Sequence, residues 1–218
     1  MPPVLVIGNK VYSSWSMRPW LLLVHFGIAF TERRLALDTA DFHDAIGALS
    51  PSGRVPVLHH DDLVVWDSLA ICEYANETWL EGRGWPAQRA ARAQARSATA
   101  EMHAGFAALR AQLPMNVRRA PGPRHWDAAA QQDIDRVQQV WRDLRRAHGG
   151  DGPFLCGAFG IVDAMYAPVA VRFGGYGVEL DDTASAYCAA LRALPAFTRW
   201  AGEAAAETER IAATDALG

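Results

Sequence analysis

The hydrophobic pattern of this chain changes near residue 80, and the change limits the folds available to it. Residues 1–80 contain apolar runs of strand length, such as residues 4–8, that alternate with apolar runs of helix length, such as residues 18–26. This alternation predicts a small mixed sheet with helices on its faces. Residues 89–218 instead carry apolar side chains at i+3 and i+4 spacing, as amphipathic helices do. We therefore predict two domains joined by a linker at residues 81–88.

The N-terminal domain is predicted to have the element order βαβα followed by ββα. The final hairpin is the clearest part, because β-rich runs at residues 55–58 and 63–66 flank a polar turn that starts with His59 and His60. Asp67-Ser68 follows the hairpin directly, and both residue types can cap a helix. The remaining elements are predicted as a strand at residues 31–36 and a helix at residues 41–49.

The C-terminal domain is predicted to be helical throughout. One long amphipathic helix is predicted from apolar positions between residues 95 and 113, ending at Pro114. Residues 163–173 are apolar nearly all round, which favours a buried helix in the middle of the domain. Further helices are predicted around residues 134–144, after a proline- and glycine-rich loop at residues 121–123, and around residues 191–200.

The composition of the chain excludes several classes of partner. Its 218 residues carry a formal charge of only -3, so there is no electrostatic footprint for nucleic acid or for an anionic membrane. No apolar stretch approaches the roughly 18 residues that a membrane helix needs. The three cysteines Cys72, Cys156 and Cys188 are far apart and form no CxxC pair, so neither a disulfide framework nor a zinc site is predicted. We expect a cytoplasmic protein without a metal.

Two segments of the N-terminal domain resemble a known family. Residues 50–58 (SPSGRVPVL) are similar to the Asn-Pro-x-Gly-Lys-Val-Pro-x-Leu stretch of the cytosolic glutathione transferases. Residues 66–74 (WDSLAICEY) are similar to the family's helix start, in which an acidic residue or glutamine precedes serine. The resemblance implies an α/β thioredoxin-like N-terminal domain, an all-α C-terminal domain and a homodimer.

Two further segments extend this resemblance. Residues 13–18 (SSWSMR) are similar to the Ser-Ser-Cys-x-x-Arg signature of the zeta class, which includes the maleylacetoacetate isomerases, with Trp15 in place of the cysteine. Residues 157–164 (GAFGIVDA) are similar to a Gly-x-x-(Ser/Thr)-x-x-Asp element in the helical domain, with Gly160 in place of the hydroxyl N-cap. Glycine is a tolerated N-cap, and Asp163 can still lie in the first turn.

The resemblance implies a glutathione site around the hairpin. A cis bond between Val55 and Pro56 would expose backbone groups that pair with an extended peptide. Asp67 and Ser68, at a helix N-terminus, would bind the γ-glutamyl ammonium and carboxylate, and Arg54 would bind the glycyl carboxylate. The alternatives are an ordinary edge-strand proline and an ordinary helix cap.

The candidates for activating the thiol are Ser13 and Ser14. A hydroxyl that donates to the thiolate lowers the thiol pKa, and the N-terminus of the following helix adds to this effect. The zeta signature favours Ser13, whereas counting back from Arg18 favours Ser14; N-capping of the helix is the alternative role for both. Trp15 is assigned to the glutathione site. Tyr12 is a weaker candidate for the same chemistry.

The second substrate is expected at one face of the long helix. Met102, His103 and Phe106 could present apolar groups and a polar handle to it, although such a face is also typical of a core. The favoured function is a detoxifying glutathione transferase that attacks a small apolar electrophile, with glutathione as co-substrate. The alternatives are a glutathione-dependent cis-trans isomerase of the maleylacetoacetate type and a non-catalytic binding protein with the same fold.

Overall fold

The computed structural model describes residues 1–122, 124–150 and 152–217. In its N-terminal part a four-stranded sheet has the order β2-β1-β3-β4, with β2 parallel to β1 and the β1–β3 and β3–β4 pairs antiparallel. This arrangement, with helices packed on it, confirms the predicted thioredoxin-like fold. The elements are β1 (Val4–Ile7), α1 (Ser14–His25), β2 (Thr31–Arg34), α2 (Ala40–Leu49), β3 (Val57–His60), β4 (Leu63–Trp66) and α3 (Ser68–Thr78).

The remainder of the chain is helical, as predicted. Helix α7 is buried on nearly all sides and packs against α1, α4 and α8, so one hydrophobic core continues from the sheet into the helical region. Pro123, from the loop predicted at residues 121–123, lies outside the described residues, as do Asp151 and Gly218. The helices are α4 (Arg89–Ala104), α5 (Ala107–Gln112), α6 (Ala128–His148), α7 (Ile161–Tyr176), α8 (Asp182–Ala193), α9 (Pro195–Ala206) and α10 (Ala212–Asp215). Among the helices so described, none combines the length and apolar character of a membrane span.

The single long helix predicted between residues 95 and 113 is wrong. The chain forms α4 and α5 instead, because Gly105 ends α4 and Phe106 adopts a left-handed conformation with φ of 59°. The guanidinium group of Arg110 in α5 folds back and donates to the backbone carbonyls of Met102 and His103. Carbonyls in the last turn of a helix lack intrahelical partners, so this arginine caps α4.

Three other boundaries differ from the prediction. Helix α1 begins at Ser14 rather than near residue 18, because the Ser13 side chain caps it. Strand β3 begins after Pro56 and contains His59 and His60, which were predicted to lie in the turn. The helix predicted around residues 191–200 is two helices, α8 and α9, that meet at Leu194.

The loop between β1 and α1 is fixed by the only lysine of the chain. The Nζ of Lys10 is 2.7 Å from a carboxylate oxygen of Glu32 and also pairs with Glu203, which lies in α9. The same ammonium group lies 4.9 Å from the ring centroid of Trp20 and 5.6 Å from that of Trp200. Because Glu32 belongs to the sheet and Glu203 to the helical region, both parts of the molecule position this loop.

The N-terminus of α7 is organised by the buried carboxylate of Asp163. Its Oδ1 accepts hydrogen bonds from the Leu155 backbone N–H and the Tyr187 hydroxyl, both at 3.0 Å, and its Oδ2 accepts one from the Gly160 backbone N–H at 3.0 Å. Burial raises the pKa of Asp163 to about 6, even though the three hydrogen bonds oppose the shift. The predicted place of Asp163 in the first turn is confirmed.

The glycine at the N-cap of α7 is explained by a close backbone approach. Ile161 N–H donates to the Gly84 carbonyl at 2.9 Å, and a Cβ atom at Gly160 would lie 2.7 Å from that carbonyl oxygen. We therefore expect Gly160→Ser to lower the free energy of unfolding by about 1–3 kcal/mol, although serine is otherwise a good N-cap. Urea denaturation measures this change. Gly202→Ser is the control, since a Cβ built at Gly202 has no described atom within 4 Å apart from its chain neighbours and the backbone of its own helix. A more stable Gly160→Ser variant would contradict the steric explanation.

Candidate active-site cleft

A cleft of about 300 Å³ lies between the N-terminal loops and α4. It brings together all six residues that were predicted to bind glutathione, together with His103 from the helical region. Its lining residues are Trp15, Ser52, Arg54, Val55, Pro56, Trp66, Asp67, Ser68 and His103.

One wall of the cleft is the segment that leads into β3. The peptide bond between Val55 and Pro56 is cis, as the resemblance implies. Val57 onward is paired with β1 on one side and β4 on the other. Val55 precedes this ladder and is half-buried at the cleft, so its backbone is placed where an extended ligand could pair with it. Arg54 is exposed beside it and contributes a positive charge.

The opposite wall is the start of α3, where the backbone of Asp67 has an unusual conformation. Its φ of 77° and ψ of 135° lie outside the regions that non-glycine residues normally occupy. Conformations of this kind cost on the order of 1–3 kcal/mol and cluster at functional sites. The Asp67 Oδ1 accepts hydrogen bonds from the backbone N–H groups of Leu69 at 2.8 Å and Ala70 at 3.3 Å. The carboxylate is therefore held rigidly at the edge of the cleft.

Ser68 contributes unused hydrogen-bonding capacity to the same wall. The residue is buried, and its hydroxyl has no hydrogen-bond partner among the described residues. As the first residue of α3, it also has a backbone N–H without an intrahelical acceptor. A helix N-terminus with a free hydroxyl and a free N–H suits a carboxylate ligand.

His103 reaches the cleft from α4 and contacts Asp67 and Trp15. Its Nε2 lies 3.1 Å from the Asp67 Oδ2, and its ring meets the Trp15 indole edge-on with 5.3 Å between centroids. It was predicted to share a second-substrate pocket with Met102 and Phe106. The structure separates them: Met102 and Phe106 are buried in the core, and only His103 lines the cleft.

The two candidate serines are placed differently from each other. Ser13 caps α1, and its hydroxyl donates to the Ser16 Oγ at 2.7 Å. The Ser14 hydroxyl makes no hydrogen bond within the described residues, and the side chain is largely buried. Neither serine is among the described residues that line the cleft, although the adjacent Trp15 is. Ser14 is therefore the serine whose hydroxyl makes no described hydrogen bond at the start of α1.

The hydroxyl of Tyr12 is committed to the C-terminal segment. It donates to Asp215 at 2.9 Å and accepts from the Arg118 Nη2 at 3.0 Å. Asn116 donates to the same carboxylate at 2.9 Å. Tyr12 therefore anchors the loop before α1 and is not available for chemistry on a ligand in the cleft.

Two arginines stack on Trp15, one from α1 and one from α5. The guanidinium carbon of Arg18, in α1, lies 4.1 Å from the Trp15 ring centroid. Arg110, from α5, lies 4.8 Å from the same ring. Because Arg110 is 92 positions further along the chain, only the packing of α5 near α1 could reveal it.

The cysteines do not contribute reactive thiols to the cleft. Cys72 and Cys188 are buried, and Cys156 is half-buried. Burial raises the pKa of the Cys72 thiol well above its ordinary value and that of Cys156 to about 12. In the described part of the chain, no three histidine, cysteine, aspartate or glutamate side chains are grouped closely enough to hold a metal ion.

Comparisons with known proteins find one family model that matches part of the chain and several solved structures with a similar fold. Residues 12–78 match the family model described as Glutathione S-transferase, N-terminal domain. A comparison with curated proteins finds no match. Among solved structures, a glutathione transferase homolog from Burkholderia GL BGR1 with bound glutathione is 22% identical, with a TM-score of 0.72 over 95% of this chain and 100% of that one.

Two further solved structures have the same fold. The tau class glutathione S-transferase from mango, Mangifera indica, is 20% identical, with a TM-score of 0.70 over 99% of this chain and 95% of that one. The theta class glutathione S-transferase from Xanthomonas axonopodis pv. citri, with glutathione bound, is 22% identical, with a TM-score of 0.66 over 92% of this chain and 98% of that one. At these identities the likeness shows the fold alone.

Proposed function

We propose that this protein binds glutathione and activates its thiol for attack on a small apolar electrophile. The premise is that residues 12–78 match the N-terminal domain family of glutathione S-transferases and that the chain has their fold. One observation carries the proposal. A single cleft combines a backbone edge at Val55 with a helix N-terminus that offers the Asp67 carboxylate and the free Ser68 hydroxyl.

Each part of glutathione has a counterpart in this cleft. The Val55 backbone pairs with the cysteinyl peptide groups, as an added strand would. The Ser68 hydroxyl and N–H bind the γ-glutamyl carboxylate, and Asp67 binds the γ-glutamyl ammonium. Arg54 binds the glycyl carboxylate, and the Trp15 indole covers the ligand from the side of α1.

The thiol then lies towards the start of α1, where Ser14 donates a hydrogen bond to it. This hydrogen bond and the helix N-terminus favour the thiolate over the thiol, so the proton is released to solvent near neutral pH. The thiolate sulfur attacks the electrophilic carbon, a carbon–sulfur bond forms, and the leaving group departs with its electron pair. We do not extend the proposal to isomerisation, because Trp15 stands in the cleft where the isomerases carry cysteine.

The proposal has further features. A homodimer, a role in detoxification and glutathione as co-substrate rest on the family resemblance, whereas a cytoplasmic location and the lack of a metal rest on the cysteine pattern. The hydrophobic pattern supports a division of the chain at residues 81–88 between a glutathione-binding domain (residues 1–80) and a helical domain (residues 89–218). The core that continues across this division supports a fixed orientation of the two parts.

The proposal predicts that Asp67→Asn weakens glutathione binding at least about 10-fold. Asparagine keeps the shape and the N-capping ability of aspartate, so the variant removes the charge opposite the ammonium and, besides it, only the oxygen that faces the His103 Nε2. Isothermal titration calorimetry with glutathione measures the dissociation constant. Asp62→Asn, in the exposed hairpin turn, is the control and should bind as the wild type does.

The outcomes of this titration separate two alternatives. If the wild type does not bind glutathione, the enzymatic proposal fails and a non-catalytic protein of the same fold takes its place. If the wild type binds but Asp67→Asn binds equally well, only the assignment of Asp67 to the ammonium is wrong.

A further inference from the structure

His103 brings a titratable side chain from the helical region to one end of the cleft. Its Nε2 lies 3.1 Å from the Oδ2 of Asp67, the carboxylate assigned above to the γ-glutamyl ammonium. Both side chains line the cleft, and both are partly exposed to solvent, at 29% for His103 and 42% for Asp67. This end of the cleft is therefore built by α4 together with the start of α3.

The hydrogen bonds of Asp67 show which of its oxygens is left for a ligand. An ionised carboxylate has about four acceptor sites, two on each oxygen. The Oδ1 atom uses both of its sites on the backbone N–H groups of Leu69 and Ala70. The Oδ2 atom faces the Nε2 of His103. An ammonium group that binds Asp67 must therefore share Oδ2 with His103.

The protonation state of His103 decides the charge that this ammonium meets. A ring nitrogen that faces an ionised carboxylate at 3.1 Å carries a proton, because two lone pairs would repel each other. In the neutral imidazole the second nitrogen, Nδ1, is then bare; it is buried and has no hydrogen-bond partner among the described residues. When Nδ1 takes up a proton, the ring becomes a cation. The pair with Asp67 then changes from one net negative charge to none.

The elements around His103 carry other charged groups, most of them arginines. Arg110 in α5 donates to the His103 backbone carbonyl at 3.4 Å and stacks on the Trp15 indole that the His103 ring meets. The Tyr166 hydroxyl of α7 donates to a carbonyl of α4, and burial raises its pKa, so it stays neutral. Further charged groups on these elements are Arg18, Arg54, Asp67, Asp133, Arg172 and the ion pair of Glu101 with Arg136. Histidine is the residue type among them that changes charge between about pH 5 and 8.

We propose that His103 is a positioning residue for the γ-glutamyl ammonium and that it makes the affinity for glutathione depend on pH. The inference rests on the proposed function, in which Asp67 binds that ammonium. Neutral His103 holds the Asp67 carboxylate in place and leaves its negative charge to the ligand. Protonated His103 pairs with the carboxylate and repels the ammonium that shares Oδ2. Glutathione therefore binds more weakly as pH falls, and its binding releases the His103 proton to solvent.

The test uses S-methylglutathione, which keeps the ammonium and both carboxylates of glutathione but has no thiol to titrate. Calorimetric titrations of the full-length protein at pH 7 and pH 5.5 give the two dissociation constants. Between these values the ligand keeps its charges, because amino groups titrate mainly above this range and carboxyl groups below it. We expect the affinity of the wild type to fall about 10-fold from pH 7 to pH 5.5.

His103→Gln removes the titration but keeps an N–H donor that can face Asp67. At pH 7 the variant should bind within about 3-fold of the wild type, and at pH 5.5 it should lose less than about 2-fold. His125→Gln is the control: it removes an exposed histidine outside the lining of the cleft and should keep the full pH dependence. His103→Asn serves the same purpose if His103→Gln does not fold.

A second readout needs no variant. Titrations at pH 6 in two buffers of different ionisation enthalpy give the number of protons released on binding. The wild type should release a fraction of a proton, because the ligand favours neutral His103. His103→Gln should release none.

The outcomes separate this inference from the function on which it rests. A wild type that does not bind S-methylglutathione at either pH overturns both. A wild type that binds equally at both pH values and releases no proton overturns the inference alone, as does a His103→Gln variant with the pH dependence of the wild type. An affinity that rises in acid also overturns it, because His103 would then face the γ-glutamyl carboxylate instead.

Discussion

Replacing Ser14 with alanine is expected to slow glutathione conjugation about 100-fold, the size of effect seen when one donor to a developing anion is removed. The hydroxyl has no hydrogen-bond partner within the described residues, and it lies in the first turn of α1, where the helix N-terminus already favours negative charge. Without it, the bound thiol should have a higher pKa and form less thiolate at neutral pH. Steady-state kinetics with a chlorodinitrobenzene, compared with glutathione affinity from calorimetry, separates lost activation from lost binding.

Ser13→Ala is the matched control for this experiment. The Ser13 hydroxyl is engaged with Ser16 and caps α1, so its removal should cost about 1 kcal/mol of stability and change the rate little. The opposite pattern, with Ser13→Ala raising the thiol pKa and Ser14→Ala silent, would assign the chemistry to Ser13, as the zeta signature suggests. It would also mean that the Ser13–Ser16 hydrogen bond breaks when glutathione binds.

Replacing Asp163 with alanine is expected to lower the free energy of unfolding by about 4 kcal/mol. The substitution leaves three buried donors without an acceptor: the N–H groups of Leu155 and Gly160 and the hydroxyl of Tyr187. Each such loss costs about 1–3 kcal/mol, and relief of the buried charge offsets part of the total. Urea denaturation measures the change. Tyr187→Phe removes only one of the three hydrogen bonds and should cost about 1 kcal/mol.

The pH dependence of the Asp163→Ala effect has a defined sign. Burial raises the pKa of this carboxyl from an ordinary 3.8 to about 6, so the folded state binds the proton more tightly than the unfolded state. The contribution of Asp163 to stability is therefore full below about pH 4 and declines as pH rises to about 6. The difference between wild type and Asp163→Ala should be larger at pH 4 than at pH 7; a difference that grows with pH would contradict the raised pKa.

Local sequence patterns predicted the N-terminal part of the fold well. The hairpin, the helix start at Asp67 and the order of strands and helices depend on turn residues, caps and short-range periodicity, which are all encoded within a few positions. The error at β3 has a local cause as well. Pro56 has no N–H to give to the ladder, so regular pairing begins at Val57 and extends through the histidines that follow.

Sequence reasoning missed one feature with a local cause and one that depends on a contact between distant segments. The apolar spacing around Phe106 is that of one continuous helix. The helix is nevertheless divided into α4 and α5, because Gly105 ends α4 and the guanidinium group of Arg110 folds back to cap it. The pairing of His103 with Asp67 needs α4 to lie against the start of α3, and no local signal encodes that distance. The cleft itself was predictable in its N-terminal half, because a hairpin and the helix that follows it are contiguous in sequence.

The enclosure of Lys10 gives the folded protein an unusual surface chemistry. The only ε-amino group of the chain is held between two indoles and two carboxylates, so amine-directed reagents do not reach a lysine side chain in the folded state. Reaction at Lys10 reports that the loop before α1 has opened.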